Sequence, residues 1–145
     1  MLAVIIPARG NSKRVKRKNL KEFFGKPLIY WSIKSALSSP SIQGNVWVTT
    51  EDREIADFAR EFGVSIIDRP KNLSLDKTET AEVIIHAISE VKKDIPKLDT
   101  IITFQPTNPL RPTSLIEDAI KLFRSNDCDS LLSISEKKLK IGDLN

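Results

Sequence analysis

Leu2-Ala3-Val4-Ile5-Ile6-Pro7-Ala8-Arg9-Gly10-Asn11-Ser12-Lys13 holds two kinds of sequence back to back. Five consecutive apolar residues, Leu2 to Ile6, read as a strand buried on both faces, because a half-exposed strand would alternate. A glycine, short hydrogen-bonding side chains and cations follow directly. In an open parallel sheet, ligands bind beyond the carboxyl ends of the strands, and this is where the polar residues fall.

Working outward, the same unbroken apolar or β-branched character returns at Asn45 to Thr50, Val64 to Ile67, Thr100 to Phe104 and Ser130 to Ile134, giving five expected strands. Helical periodicity fills the gaps. Pro27 can open a helix, where its missing N–H is no loss, with Ile29, Ile33, Ala36 and Leu37 as the inner face. Glu51, Asp52 and Glu54 supply acids to the first turn of a second helix, whose stripe is Ile55, Phe58, Ala59 and Phe62 and whose stop is Gly63. A third runs from about Glu79 to Lys92, with Val83, Ile84, Ala87, Ile88 and Val91 inward. A fourth follows Pro112, with Ser114 and Glu117 at capping-box spacing and Ile116, Ala119, Ile120 and Phe123 buried. Alternating strands and helices predict an α/β fold with a mainly parallel sheet. No repeat or flexible linker divides the 145 residues, so one domain is expected.

Composition narrows the class. With 40% hydrophobic and 29% charged residues the chain reads as globular. No apolar run reaches the roughly 20 residues of a membrane span, and Met1 to Ile6 lacks the form of a signal peptide. One cysteine, Cys128, excludes an internal disulfide. The cytoplasm is the expected compartment. The net charge of +4 is concentrated: residues 9–26 carry eight cations and one acid, leaving the remainder mildly acidic. A concentrated positive segment implies a concentrated anionic partner.

Three segments lie after expected strands: Ala8 to Lys26, Asp68 to Thr80 and Gln105 to Arg111. The first is longer than an ordinary strand-to-helix loop. Gly10 lets backbone approach a ligand, and the lysines and arginines neutralise it, which is what a polyphosphate requires. Neither G-x-x-x-x-G-K-[ST] nor G-x-G-x-x-G occurs. A solvated basic face, or non-specific contact with RNA or DNA, is the competing reading of the charge. His86 reads as a structural residue beside an apolar stripe, Cys128 as a partly buried small residue without a basic environment, and Trp31 and Trp47 as core. Asp68 and Asp76 fit either caps or the approach to a metal. Pro106, Pro109 and Pro112 stiffen a loop that Gln105 and Arg111 mark as binding.

Residues 6–29, IPARGNSKRVKRKNLKEFFGKPLI, resemble the opening signature of the acylneuraminate cytidylyltransferases (CMP-sialic acid synthetases). Residues 104–120, FQPTNPLRPTSLIEDAI, resemble their second signature, and residues 69–80, RPKNLSLDKTET, the segment between. The Kdo cytidylyltransferases match less well after the opening Pro-Ala-Arg. The resemblance implies a three-layer α/β/α, Rossmann-like nucleotide-diphospho-sugar transferase fold. It implies transfer of CMP from CTP to a nine-carbon 2-keto (nonulosonic, sialic-type) acid with release of pyrophosphate, assisted by Mg²⁺ or another divalent cation.

By the same resemblance Arg9, Gly10, Asn11, Ser12, Lys13, Lys18 and Asn19 would hold the triphosphate and ribose, with Arg9, Lys13 and Lys18 the catalytic cations. Arg69 and Thr80 would lie by the cytosine. Gln105, Thr107, Asn108 and Arg111 would shape the sugar side. Lys16 stands where the family usually has Pro, and Asn108 where it has Ser. The family continues beyond Asn145, where its metal-binding aspartates and dimerising extension lie. Residues 1–145 are thus expected to form the CTP-binding domain without that part, and a homodimer is a family expectation only. A catalytically incomplete nucleotide-binding remnant is the alternative, and a nucleic-acid-binding domain ranks last, with aromatics at only 6%.

Overall fold

The computed structural model describes residues 1–12, 15–75 and 77–134. Along the chain run β1 (Leu2–Pro7), a 3-10 turn (Lys18–Leu20), β2 (Glu22–Phe23), β3 (Lys26–Pro27), α1 (Leu28–Leu37), β4 (Val46–Thr50), α2 (Arg53–Arg60), β5 (Ser65–Asp68), a second 3-10 turn (Lys71–Ser74), α3 (Thr80–Asp94), β6 (Thr100–Thr103) and α4 (Thr113–Ser125).

Four strands form one parallel sheet in the order β5-β4-β1-β6. Ile5 lies opposite Trp47 on one side and Thr103 on the other. The chain enters at β1, steps outward through β4 to β5, then returns to the far side of β1 as β6. The direction of progression therefore reverses between β1 and β6, which is where open α/β sheets leave a crevice for ligands.

The unbroken apolar character of β1 is explained by helices on both faces. Leu2, Val4 and Ile6 pack with Ile29, Ile33 and Ala36 of α1, Ile55 and Ala59 of α2, and Ile116 and Ile120 of α4. Ala3 and Ile5 face Ala87 and Val91 of α3, together with Trp47 and Ile67. The result is the expected three-layer arrangement, with three helices on one face and one on the other. Burying a Val, Leu or Ile side chain contributes about 1.5–3 kcal/mol, so β1 anchors both layers.

Four expectations about the secondary-structure elements are corrected. Ser130 to Ile134 forms no strand, and Leu132 and Ile134 are 83% and 89% exposed. An apolar run becomes a strand only where a neighbour takes its backbone hydrogen bonds, and none of the described strands pairs with it. The span Ala8 to Lys26 is not merely a loop. It contains the 3-10 turn and a hairpin of β2 with β3, turned by Phe24 and Gly25, both at positive φ (50° and 73°), the backbone of a tight two-residue hairpin connection. Leu37, the last residue of α1, is exposed, while Ile42 joins the core. The Ser114–Glu117 pair does not cap α4, whose N-terminal boundary residue is Pro112. Glu117 instead accepts hydrogen bonds from the Ser39 hydroxyl and from the Ser41 N–H (3.2 Å) and hydroxyl.

Trp47 is buried as expected, while Trp31 is half-buried and donates its indole N–H to the Phe23 carbonyl at 2.8 Å. His86 is half-buried on α3. Cys128 is exposed beyond α4, a correction to its reading as a partly covered residue: the segment after Ser125 packs against too little to cover it.

Candidate functional site

Because the four sheet strands are parallel, the segments after β1, β4, β5 and β6 meet at one edge. There the backbone of β1 runs on through Ala8, whose N–H donates to the Thr49 carbonyl at 3.0 Å, into Arg9 and Gly10. The Gly10 N–H donates to Glu51 Oε1 at 2.8 Å. Gly10 is required by close approach: a Cβ here would stand 2.2 Å from Asp52 Oδ2. The glycine that the sequence marks for contact with a ligand thus also admits the β4–α2 turn.

Asn19 is almost fully buried and donates from Nδ2 to the Arg9 carbonyl at 2.9 Å. It ties the two ends of the cationic segment together. Arg17 forks onto Asp52, with Nη1 to Oδ2 at 3.0 Å and Nη2 to Oδ1 at 3.2 Å, and Nη2 also reaches Glu54 Oε2 at 2.6 Å. Asp52 accepts from the Ile55 N–H at 3.1 Å as the cap of α2. Burial pushes the Asp52 carboxyl upward, but the Ile55 N–H and the Arg17 guanidinium outweigh it and hold the group below the usual aspartate range.

Arg69 follows β5 and is 7% exposed. Its Nη2 donates to the Thr49 carbonyl at 2.6 Å, and Nη1 lies 3.9 Å from Glu51 Oε2. Burial pushes its pKa down; Glu51 opposes this, and the charge of Arg9 adds to it. The guanidinium remains charged, since arginine does not deprotonate in proteins. Arg9, after β1, and Arg69, after β5, thus follow different strands to the same sheet edge, where the Arg9 charge acts on Arg69 and the Glu51 carboxylate opposes it. An anionic ligand at this edge would add to the compensation that Glu51 gives Arg69. The Ser12 Oγ is buried with no hydrogen-bond partner among the described residues, a donor left for such a ligand.

Those of the remaining sequence-derived site residues that are described lie in the segments after β1, β5 and β6. Asn11 is exposed, Lys18 half-buried in the first 3-10 turn, and Thr80 exposed at the first position of α3. Lys13 and Asp76 lie outside the described residues. Asp68 is exposed at the end of β5. After β6, Gln105, Thr107 and Asn108 are exposed. Arg111 is half-buried: Nη1 donates to Ser32 Oγ at 3.2 Å, Nη2 donates to the Gln105 carbonyl, and the guanidinium lies 4.7 Å from the centre of the Phe104 ring. It shapes the loop by binding it to itself and to α1.

Among the described residues no three His, Cys, Asp or Glu side chains are grouped to hold a metal ion. Glu51 Oε1 accepts from Gly10 and both Asp52 oxygens accept from Arg17, while Glu51 Oε2 is buried without a hydrogen-bond partner; no step below is routed through a metal. Sequence reasoning had passed over Glu51, Asp52 and Arg17 as site residues. The two acids read as helix-start residues and Arg17 as one cation among many; no spacing signal joins residues 35 apart.

Residues 3–143 match the sequence pattern of the cytidylyltransferases. The chain belongs to the cytidylyltransferase family. A pseudaminic acid cytidylyltransferase of Campylobacter jejuni is 36% identical over 133 residues, covering 91% of this chain and 57% of that protein. A CMP-N,N'-diacetyllegionaminic acid synthase of Legionella pneumophila is 31% identical over 96% of this chain and 60% of its own length. An N-acylneuraminate cytidylyltransferase of Escherichia coli is 34% identical over 86% of this chain but 28% of its own length. The chain therefore spans little more than half of the first two of these cytidylyltransferases. Among solved structures, a CMP:2-keto-3-deoxy-manno-octonic acid synthetase complexed with CTP superposes with a TM-score of 0.72 at 24% identity, covering 86% of this chain and 48% of that one. It shows the fold that cytidylyltransferases of differing sequence share. No helix among the described residues is long and apolar enough to cross a membrane.

Proposed function

We propose that the chain is the nucleotide-binding part of a cytidylyltransferase that transfers CMP from CTP to a nine-carbon 2-keto sugar acid. A hydroxyl oxygen of the acid bonds to the α-phosphorus, the α–β phosphate P–O bond breaks, pyrophosphate leaves, and the hydroxyl proton passes to solvent or a base. Negative charge grows on the leaving oxygens. Arg9 and Lys18 meet that charge as pre-placed cations, which need no reorganisation as the reaction proceeds, and Lys13 is the third cation assigned to it by resemblance. The backbone of Asn11 and Ser12 and the Ser12 hydroxyl contact phosphate, Gly10 gives the turn with its own N–H held by Glu51, and Asn19 ties that turn to the one carrying Lys18. Arg69 and Thr80 line the cytosine side. Gln105, Thr107, Asn108 and Arg111 form the acid's side across the crevice between β1 and β6, where holding both reactants in line removes much of the entropic barrier.

The observation that carries this reading is the buried Ser12 hydroxyl, without a hydrogen-bond partner among the described residues, in the segment that follows β1 of a chain of this family. The relatives' names support an acid of the sialic, legionaminic or pseudaminic kind. Magnesium or a similar cation, cytoplasmic location and self-association belong to the same proposal.

Calorimetry with CTP, followed by pyrophosphate release with each of the three acids in Mg²⁺, tests it. CTP binding and turnover of one acid are expected. Absence of CTP binding overturns the reading. Binding without turnover narrows it to a nucleotide-binding unit that needs groups from elsewhere.

A further inference from the structure

We propose that Arg17 is a positioning residue: paired with Asp52 and Glu54, it fixes the turn that presents Lys18 and Asn19 to the triphosphate site without binding phosphate itself. This rests on the functional reading above. From charge alone Arg17 is one more phosphate ligand in a basic segment. The geometry assigns it differently. Its guanidinium already meets two carboxylates, in the bidentate arrangement that suits arginine best. A phosphate would have to displace both.

The backbone gives the same answer. Arg17 sits at φ 51°, ψ 39°, a left-handed conformation that costs a non-glycine residue stability and persists only where the surroundings enforce it. Here the side chain is held from one direction by Asp52. From the other, the Arg17 carbonyl accepts from the Leu20 and Lys21 N–H groups at 3.0 and 3.1 Å. That turn delivers Asn19 to the Arg9 carbonyl and sets Lys18 beside it. Asp52 is a firm anchor, wedged against the Gly10 backbone on one side and capping α2 on the other. Two contacts from one turn, Glu51 to Gly10 and Asp52 to Arg17, therefore hold the entry and exit of the cationic segment before any ligand arrives. A turn held in place beforehand binds more tightly because less ordering remains to be done.

The test compares CTP affinity in the wild-type chain, Arg17→Ala, Arg17→Lys, the acid pair Asp52→Asn with Glu54→Gln, and the combination of Arg17→Ala with that pair. Asparagine keeps the helix cap. Arg17→Ala and the acid-pair variant are each expected to weaken CTP binding roughly 3- to 30-fold, with the combination no weaker than either, the non-additivity of residues acting as a unit. Arg17→Lys should resemble Arg17→Ala, since lysine keeps the charge and loses the fork. In the free protein, hydrogen exchange at the Leu20 and Lys21 amides should quicken in Arg17→Ala and in the acid-pair variant. Direct phosphate binding predicts the reverse: acid removal frees Arg17 and leaves CTP affinity equal or higher, lysine substitutes well, and the losses add. Those results, or unchanged exchange at the two amides, overturn the proposal while wild-type CTP binding stands. Wild-type protein that binds no CTP removes the proposal together with the functional reading.

Discussion

Gly10 and Arg69 show how single residues set the site. Adding a methyl group at Gly10 forces Asp52 aside, because the new carbon would stand 2.8 Å from both Asp52 Cβ and Cγ. Overpacking of this kind costs about 1–3 kcal/mol. Gly10→Ala should lower the urea midpoint accordingly at unchanged slope, and weaken CTP binding. Unaltered stability would show that the Asp52 wedge gives way freely. Arg69 is a buried charge whose guanidinium reaches a backbone carbonyl and Glu51 in different directions. Arg69→Ala leaves Glu51 without that cation, and breaking such a pair costs about 3–5 kcal/mol. Arg69→Lys should recover only part, since one ammonium cannot reproduce the planar fork. Full recovery of the melting temperature by lysine would show that charge alone matters at this position.

At the level of elements, α4 is pinned to the α1–β4 connection by Glu117. Hydrogen bonds from the Ser39 and Ser41 side chains, in that order, hold the Glu117 carboxyl below the usual glutamate value of 4.5. A depressed folded-state value means the ionised group contributes stability above the unfolded pKa, and the contribution is lost as pH falls through the folded one. Wild-type melting temperature should therefore drop as pH descends from about 5 toward 3, and Glu117→Gln should flatten that drop. An identical pH profile in the variant would mean the bonds to Ser39 and Ser41 carry no net stability. The same helix marks the limits of what sequence reveals. Its buried face, Ile116 and Ile120, was legible in the spacing. The destination of Glu117 was not, because a short-range capping pattern cannot report a partner 76 residues away. The β2–β3 hairpin escaped notice for a different reason: two-residue strands carry no period. Ser130 to Ile134 has the apolar content of a strand, but strand formation depends on a neighbour that sequence cannot display.

For the molecule as a whole, the alternation of strands and helices was open to reading because each period reflects burial on one face or two. The order β5-β4-β1-β6 was not, since pairing is decided between distant segments. Yet that order creates the site, by setting the segments after β1 and β6 on either side of the reversal. Likewise the resemblance names Gly10 and Arg69, whereas Glu51, which braces both, reaches them only because β4 lies between β1 and β5. A ligand bridging this edge binds the folded chain and not the unfolded one, so it must raise stability in proportion to the logarithm of its concentration. At 100 times its Kd, CTP should add about 2.7 kcal/mol, or roughly 5–10 °C in Tm for a chain of this size. If the triphosphate is gripped by the Arg9 segment, inorganic tripolyphosphate should raise Tm by less and compete with CTP, and cytidine alone should do little. An RNA oligonucleotide of equal charge should neither compete at physiological salt nor match the CTP effect. Equal stabilisation by RNA, lost as salt is raised, would mean that the edge reads charge density and not a nucleotide.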